Sequence, residues 1–394
     1  MVGTSLARAI SGQGWKIGVV EAWPFDSRAQ PSYDDRVLAL SWGTRLILQG
    51  IGIWQSLVAD AQPILDIHIS DRGHFGFTRL NSREEGVEAL GYVIAARALG
   101  ASLLKDLEQV DDIELLCPAS LHSLLVHEDR VEATLDTADG REILSARLLV
   151  AADGGDSQVR QLLSVPVRER IYAQTAIIAN LTPGRSHAGV AYERFTDSGP
   201  MAVLPMTEGR CSLVWTAQAR QVPELMGLDD ETFLARLQER FGYRLGRLQR
   251  VGQRLSYPLR LVQAKEQVRP RVALIGNASH TIHPVAGQGF NLGIRDAAVL
   301  ADILTDVCKS AGDPGSLEPL QRYAQWRRQD HKRVVTITDT LARLFANPFE
   351  PLRMARNIGM VGLDITPGLK HRVARQFMGL SGRLPRLARG VPLV

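Results

Sequence analysis

The stretch Arg271 to Leu304, RVALIGNASHTIHPVAGQGFNLGIRDAAVLADIL, constrains this chain more than any other. Arg271 to Ile275 is apolar and branched like a short buried strand, and Gly276 breaks it. A loop holding Pro284, Gly287 and Gly289 then delivers the chain into a helix beginning near Gln288. Leu292, Ala297, Leu300, Ala301 and Leu304 recur at roughly helical spacing, so one face of that helix should pack inward. Its N-terminus, with unsatisfied N–H groups and a partial positive charge, points at the loop and suits an anionic ligand. Glycines at 287 and 289 let the backbone approach a flat ligand closely. A strand-loop-helix turn that holds nothing satisfies the same pattern, and at this point both readings stand.

A second signal runs from Leu148 to Arg160. The unalternating apolar run Leu148 to Ala152 reads as a strand covered on both faces, and Asp153-Gly154 turns it into a helix capped by Asp156 or Ser157. The first residues are the oddest part. Gly3 to Ser11 is a helix candidate with Leu6, Ala9 and Ile10 on one face, and Trp15 to Val20 reads as a parallel strand ending at Glu21. An acid at the end of a second strand, about 20 residues beyond a glycine loop, is the ribose-binding position of a dinucleotide fold. The strand and glycines expected ahead of that helix do not appear. If Gly3 is the last glycine of G-x-G-x-x-G, the first two lie upstream of Met1, and a misplaced gene start or a truncated copy is the expectation.

The run Gly276-Asn277-Ala278, then His283-Pro284-Val285-Ala286-Gly287-Gln288-Gly289-Phe290-Asn291-Leu292-Gly293, then Arg295-Asp296, resembles the second FAD motif of the flavin-dependent aromatic hydroxylases. Asp153-Gly154 through Arg160 is similar to their D-G-x-x-S-x-V-R motif. The ubiquinone-biosynthesis branch, which hydroxylates polyprenylated phenols, is the nearest match, over Gly3 to about Leu380. The resemblance implies FAD and NAD(P)H as cofactors. It implies ring hydroxylation by O₂ through a flavin C4a-hydroperoxide. It also carries over roles to Gly3, Glu21, Arg36, Arg97, Asp153, Gly154, Arg160, Gly276, Asn277, Pro284, Gly287, Gln288, Gly289 and Asn291 as cofactor-binding residues. Arg36 would reach the FAD phosphates, Arg97 the ribityl chain, and the Leu204-Pro205-Met206 backbone the substrate ring. Asn277 stands where many members have aspartate, and its amide can still accept and donate to a ribityl hydroxyl. No catalytic base is named; His280 and His283 are candidates by location only. Their H-x-x-H spacing lacks a third ligand nearby and Pro284 follows directly, so they read as loop-shaping rather than metal-binding.

The expected fold is α/β: a Rossmann-like FAD-binding domain with its first strand absent, interleaved with a mixed or antiparallel β-sheet substrate domain and a C-terminal helical region. The FAD parts would cover 1–60, 91–165 and 266–310, the substrate sheet 61–90 and 166–265, and the helical region 311–394. Within the last, Leu317 to Leu344 reads as a helix broken near Asn347-Pro348.

With 45% hydrophobic and 22% charged residues, general disorder is excluded, and a net charge of +4 is too small to imply nucleic acid. The charge is uneven: Lys370 to Val394 holds six Lys or Arg and no acid. That tail fits phospholipid headgroups or an acidic partner, and equally a solvated basic helix end. Cys117, Cys211 and Cys308 lie far apart with no C-x-x-C, which suggests a reducing compartment and no zinc site. No apolar run of about 18 residues appears. The expectation is a cytoplasmic protein, at most peripheral on the inner membrane, taking a prenylated phenol and O₂ and associating with other ubiquinone-biosynthesis proteins. Two alternatives share these motifs: a same-fold enzyme that hydroxylates a soluble aromatic compound or oxidises an amine, and a truncated, flavin-poor member of a quinone-making complex.

Overall fold

The computed structural model describes residues 1–23, 36–282, 287–346 and 349–393. Asp34, Asp35, His283, Pro284 and the Asn347-Pro348 break lie outside them. In chain order, the elements that position the site begin with helix α1 (Val2–Ile10) and strands β1 (Ile17–Val20), β2 (Val37–Ser41), β3 (Asp66–Asp71), β4 (Phe77–Asn81), β5 (Gly91–Ala95), β6 (Ile113–Leu116) and β7 (Leu149–Ala151). Then come β8 (Val167–Pro183), β9 (Val190–Thr196), β10 (Gly199–Pro205), β11 (Cys211–Gln218), β12 (Leu255–Ala264) and β13 (Val272–Leu274). Four long helices follow, α2 (Gln288–Lys309), α3 (Leu317–Ala346), α4 (Glu350–Ile365) and α5 (Pro367–Phe377).

The architecture is α/β. Parallel pairing joins β1 to β6 and β7 to β13, as two separate small sheets among the described residues. One face of β1 is left open, so Gly18 and Val20 are exposed while Ile17 and Val19 are half-buried, although the run reads as buried on both faces. The large sheet has nine strands and is mixed: β12, β8, β11, β10 and β9 pair antiparallel in that order, and β9 then pairs parallel with β3. Its strands carry the alternation seen in sequence, with one face packed on Phe233, Leu237 and Phe241 of the helix Asp230–Phe241.

The largest departure from the sequence reading concerns α2. Its periodicity predicts one inward face, but the helix is buried on nearly every side, including Arg295, Asp296, Asp302 and Thr305. The covering elements come from both ends of the chain. The start of α1 lies against Gly293, where an added Cβ would come 3.1 Å from Val2 Cγ2, while Tyr323 and Arg327 of α3 cover another side and the 387–389 turn a third. Small residues at 293, 297, 298 and 301 permit this close approach.

Candidate functional site

The motif that opened the sequence reading becomes one wall of a cavity. β13 leads into a 3₁₀ turn at Gly276–Ala278, and Gly276 adopts a left-handed φ of +58°. The chain enters α2 through Gly287, also left-handed at +60°, whose added Cβ would stand 2.9 Å from Ala39 Cβ. Only glycine meets both demands. No side chain among the described residues caps the N-terminus of α2, which leaves its first N–H groups as available donors. Asn291, one turn in, has all four hydrogen-bonding positions occupied. Its Oδ1 accepts from Ser41 N at 2.8 Å and Thr44 Oγ1 at 2.7 Å, and its Nδ2 donates to Ala39 O at 2.8 Å and Gly287 O at 2.9 Å. The side chain thus fastens the loop and the helix start to β2.

Gly287, Gln288 and Asn291 face a cavity of about 820 Å³. Its floor is the open face of the large sheet, which presents Ile67, Ala191, Leu204 and Ser212 in one line and Ile69, Glu193, Ala202, Val214 and Ile178 in the next. Ala374, Phe377 and Met378 of α5 close a third side. Gly91 lines it too, and a Cβ there would overlap the Leu40 carbonyl oxygen, so the position takes glycine.

At the polar end, Arg36 and Asn277 line the same cavity, and Arg36 Nη2 donates to Tyr257 Oη at 2.7 Å with its guanidinium 4.4 Å from the ring centroid. Buried Arg160 donates from Nη1 to Ala278 O at 2.8 Å and from Nη2 to Gly155 O at 2.6 Å, which ties the 276–278 turn to the loop after β7. Asp153 is exposed and its Oδ2 accepts from Val159 N at 3.0 Å; Ser157 caps the short helix through Arg160 N at 3.1 Å. Gly154 is left-handed at +88°. Gly3 meets the same region from α1, its added Cβ 3.0 Å from Ala152 Cβ, and Gly276 faces Val2. Gly289 sits in the first turn of α2. Glu21 follows β1 and lines neither this cavity nor the next, and Arg97 lines a separate cleft of about 950 Å³ with Lys105 and Arg210. Met206 belongs to that second cleft, whereas Leu204 reaches the first.

Behind the loop lies a charge hub not foreseen from sequence. Asp296 is fully buried; its Oδ2 accepts from Gly276 N at 3.0 Å and His280 Nε2 at 2.8 Å, and its Oδ1 from Arg327 Nε and His331 Nε2, both at 2.6 Å. Gln267 Nε2 donates to His331 Nδ1 at 2.5 Å, so the His331 proton sits on Nε2 and the ring is neutral. Burial pushes His331 down to about 4, against the pull of Asp296. Burial alone would raise the Asp296 carboxyl, but the His331, Arg327 and His280 donors outweigh it and hold it well below the ordinary carboxylate range. His280, Asp296 and His331 have the ligand types of a metal site and lie within 4.8 Å of one another. With Arg327 supplying the cation and four donors filling the carboxylate, the group works as a hydrogen-bonded anchor for the 276–280 turn. The partner of His280 is Asp296 of α2, and through that carboxylate Arg327 and His331 of α3 also reach the 276–280 turn, a grouping invisible at H-x-x-H range.

This arrangement suits a flavin. The uncapped α2 N-terminus opens on the cavity, left-handed Gly287 brings bare backbone to its rim, and Thr281 Oγ1, buried in its lining, has no hydrogen-bond partner among the described residues. Comparison decides the family: the FAD binding domain pattern matches residues 1–338. The chain belongs to that FAD-binding family. It is similar to the ubiquinone hydroxylase UbiL of Rhodospirillum rubrum, 40% identical across 100% of this chain and 91% of that protein. The 3-demethoxyubiquinol 3-hydroxylase of Escherichia coli is 32% identical over 96% of each chain. The p-nitrophenol 4-monooxygenase PnpA of Pseudomonas putida DLL-E4 shares the fold with a TM-score of 0.80, at 20% identity over 97% of this chain and 96% of that one. A flavin-dependent hydroxylase of aromatic rings thus matches family, relatives and fold together.

Proposed function

We propose that the chain hydroxylates the ring of a polyprenylated phenol in ubiquinone biosynthesis, with NAD(P)H as the electron donor. One observation carries this reading: the α2 N-terminus and Asn277 face an aliphatic sheet floor across a single cavity of ligand size. Bound FAD supplies the redox and oxygen chemistry. The protein's share would be to hold the substrate ring over the sheet floor, to supply positive potential to the cofactor from the α2 N-terminus, and to keep water out with Ile69, Val214 and Ile178. Gly276, Asn277, Gly287 and Gln288 would hold the ring and ribityl half, and Arg36, Asp153 and Arg160 the pyrophosphate end. Purified protein is expected to show flavin absorbance bands and to convert a short-chain 2-prenylphenol with NAD(P)H to a hydroxylated product. Asp153→Ala should lose most of its flavin; unchanged flavin content would remove Asp153 from the site, and turnover of soluble phenols alone would move the substrate to that class.

Peripheral membrane contact has better support in α4 and α5 than in the basic tail as a whole. Lys370 pairs with Glu84 at 2.9 Å, Arg386 with Asp306 at 2.9 Å, and Arg383 stacks 3.7 Å over Trp326, so part of the tail's charge is committed. Met354, Ile358 and Ile365 lie exposed along α4, Leu369 continues the apolar surface onto α5, and Arg372 and Arg375 are exposed beside it. No helix among the described residues is long and apolar enough to cross a membrane. An apolar stripe flanked by cations fits an interfacial contact with anionic lipid. The opposite side of α5 walls the cavity, so a lipid-anchored ring would enter from the bilayer. We expect the protein to co-sediment with vesicles containing anionic phospholipid and an Ile358→Glu, Ile365→Glu double variant with normal flavin content to stay in the supernatant. Equal sedimentation of both would refute the face.

A further inference from the structure

The sheet floor under the flavin motif contains one group that the packing does not explain. Five strands contribute one residue each to a line across the cavity, Ile69, Glu193, Ala202, Val214 and Ile178, and cross-strand pairing puts Glu193 between Ile69 and Ala202. Four are aliphatic, and the fifth is a carboxylic acid. Glu193 has no hydrogen bond or ion pair among the described residues, although an unpaired carboxylate in such surroundings is costly. Among the described residues, the other titratable groups that line the cavity are Arg36, Tyr257, Arg260 and Tyr192. Arg36 and Tyr257 bond each other, Arg260 pairs with Asp156 at 2.6 Å, and the Tyr192 ring packs edge-on against Phe241. Arg194 follows Glu193 on the strand and so points to the opposite face. α2 and α5 offer only Gln288, Asn291, Ala374, Phe377 and Met378 from their sides. A carboxyl group kept unpaired in an apolar pocket is available to a ligand.

We propose that Glu193 receives the ring hydroxyl of the substrate and takes its proton. This rests on the reading of the cavity as a phenol site. The phenol O–H bond breaks, the proton forms an O–H bond on the Glu193 carboxylate, and the electron pair stays on the phenolate oxygen, raising electron density at the ring carbon to be oxygenated. The proton returns to the product oxygen when it leaves. Burial alone pushes the Glu193 carboxyl up to about 8, which brings it toward the range of a phenol and makes it a far better matched base than an exposed carboxylate. Below that pH the group is protonated and cannot accept, so phenolate formation should rise as pH climbs through about 8.

The test uses the full-length, FAD-loaded protein and its Glu193→Gln variant, which keeps size and shape. Flavin absorbance and thermal unfolding confirm that the variant is folded and loaded. Binding of 2-prenylphenol is followed from pH 6 to 9 by ultraviolet difference spectroscopy. We expect a phenolate signal in the wild type with a midpoint near pH 8, its loss in Glu193→Gln, and a drop of about 100-fold or more in hydroxylation with a flattened pH profile. Identical spectra in the two proteins would overturn the assignment, as would a wild-type rate that falls above pH 8, because a protonated Glu193 would then be the active form. Failure of the wild type to hydroxylate the phenol would refute the proposed function, while the binding spectra still decide the role of Glu193.

Discussion

Replacing Asp296 by alanine destabilises the chain by about 3–5 kcal/mol, the expected cost of removing one partner from a buried ion pair. Among the described residues the carboxylate is the sole anion in contact with Gly276 N, His280, Arg327 and His331 together, and Arg327 is itself 3% exposed. Alanine leaves a guanidinium buried beside three orphaned N–H donors; Asp330 at 2.6 Å from Arg327 Nη1 offsets part of the charge but reaches none of the others. Chemical denaturation of the two proteins at neutral pH measures the difference, and a loss below about 1 kcal/mol would refute the hub. Acid acts on the same hub. Folded His331 is held near 4 by burial whereas an unfolded histidine titrates near 6.5. The unfolded chain therefore takes up the proton first, and the stability that is fully present above about 6.5 is lost as pH falls toward 4. His68, also lowered to about 4 by burial first and by Arg244, Arg79 and Arg194 next, adds to the same window. The wild type should lose on the order of 3 kcal/mol there from His331 alone, and unfolding curves that stay constant from pH 6.5 to 4 would contradict that.

Asn291→Asp should be nearly as damaging despite an identical outline. Asparagine serves Ala39 O and Gly287 O with its amide hydrogens and receives Ser41 N and Thr44 Oγ1 on its oxygen. An aspartate keeps the second pair and turns the first into two carboxylate–carbonyl contacts, in a site 2% exposed. Two unsatisfied carbonyls and the repulsion should cost roughly 2–5 kcal/mol. The damage falls on the cavity rim, since Gly287 loses its tie and the start of α2 is released from β2. Flavin content should drop along with stability. A variant that is destabilised yet retains full flavin would separate the clamp from the cofactor site.

How far the sequence carries the site differs residue by residue. Gly287 and Gly276 were legible because a left-handed turn leaves glycine as its mark, and Ser157 because a cap needs a short polar side chain next to its helix. Asn291 was legible as part of a motif, but its four backbone-directed bonds required knowing that β2, some 250 residues earlier, lies alongside. Glu193 left a trace in the alternation of Val190 to Phe195, which sets it on the face of Ala191 and Phe195. What that face overlooks was not in the pattern. Pro284 and His283 lie outside the described residues, and Arg97 and Glu21 stand apart from the main cavity.

The sequence by itself determined the local geometry: strand, glycine turn and helix N-terminus at 271–304, the second turn at 153–160, and the α/β alternation of elements. These depend on neighbours a few residues apart, whose sterics and hydrogen bonds are readable in order. Only the tertiary structure decided that α2 is buried on nearly all sides, that Asp296 meets Arg327 and His331 from α3, and that a single carboxyl stands on the aliphatic floor beneath the flavin motif. Burial and charge pairing are properties of groups brought together across tens to hundreds of residues, and periodicity carries no record of the partner.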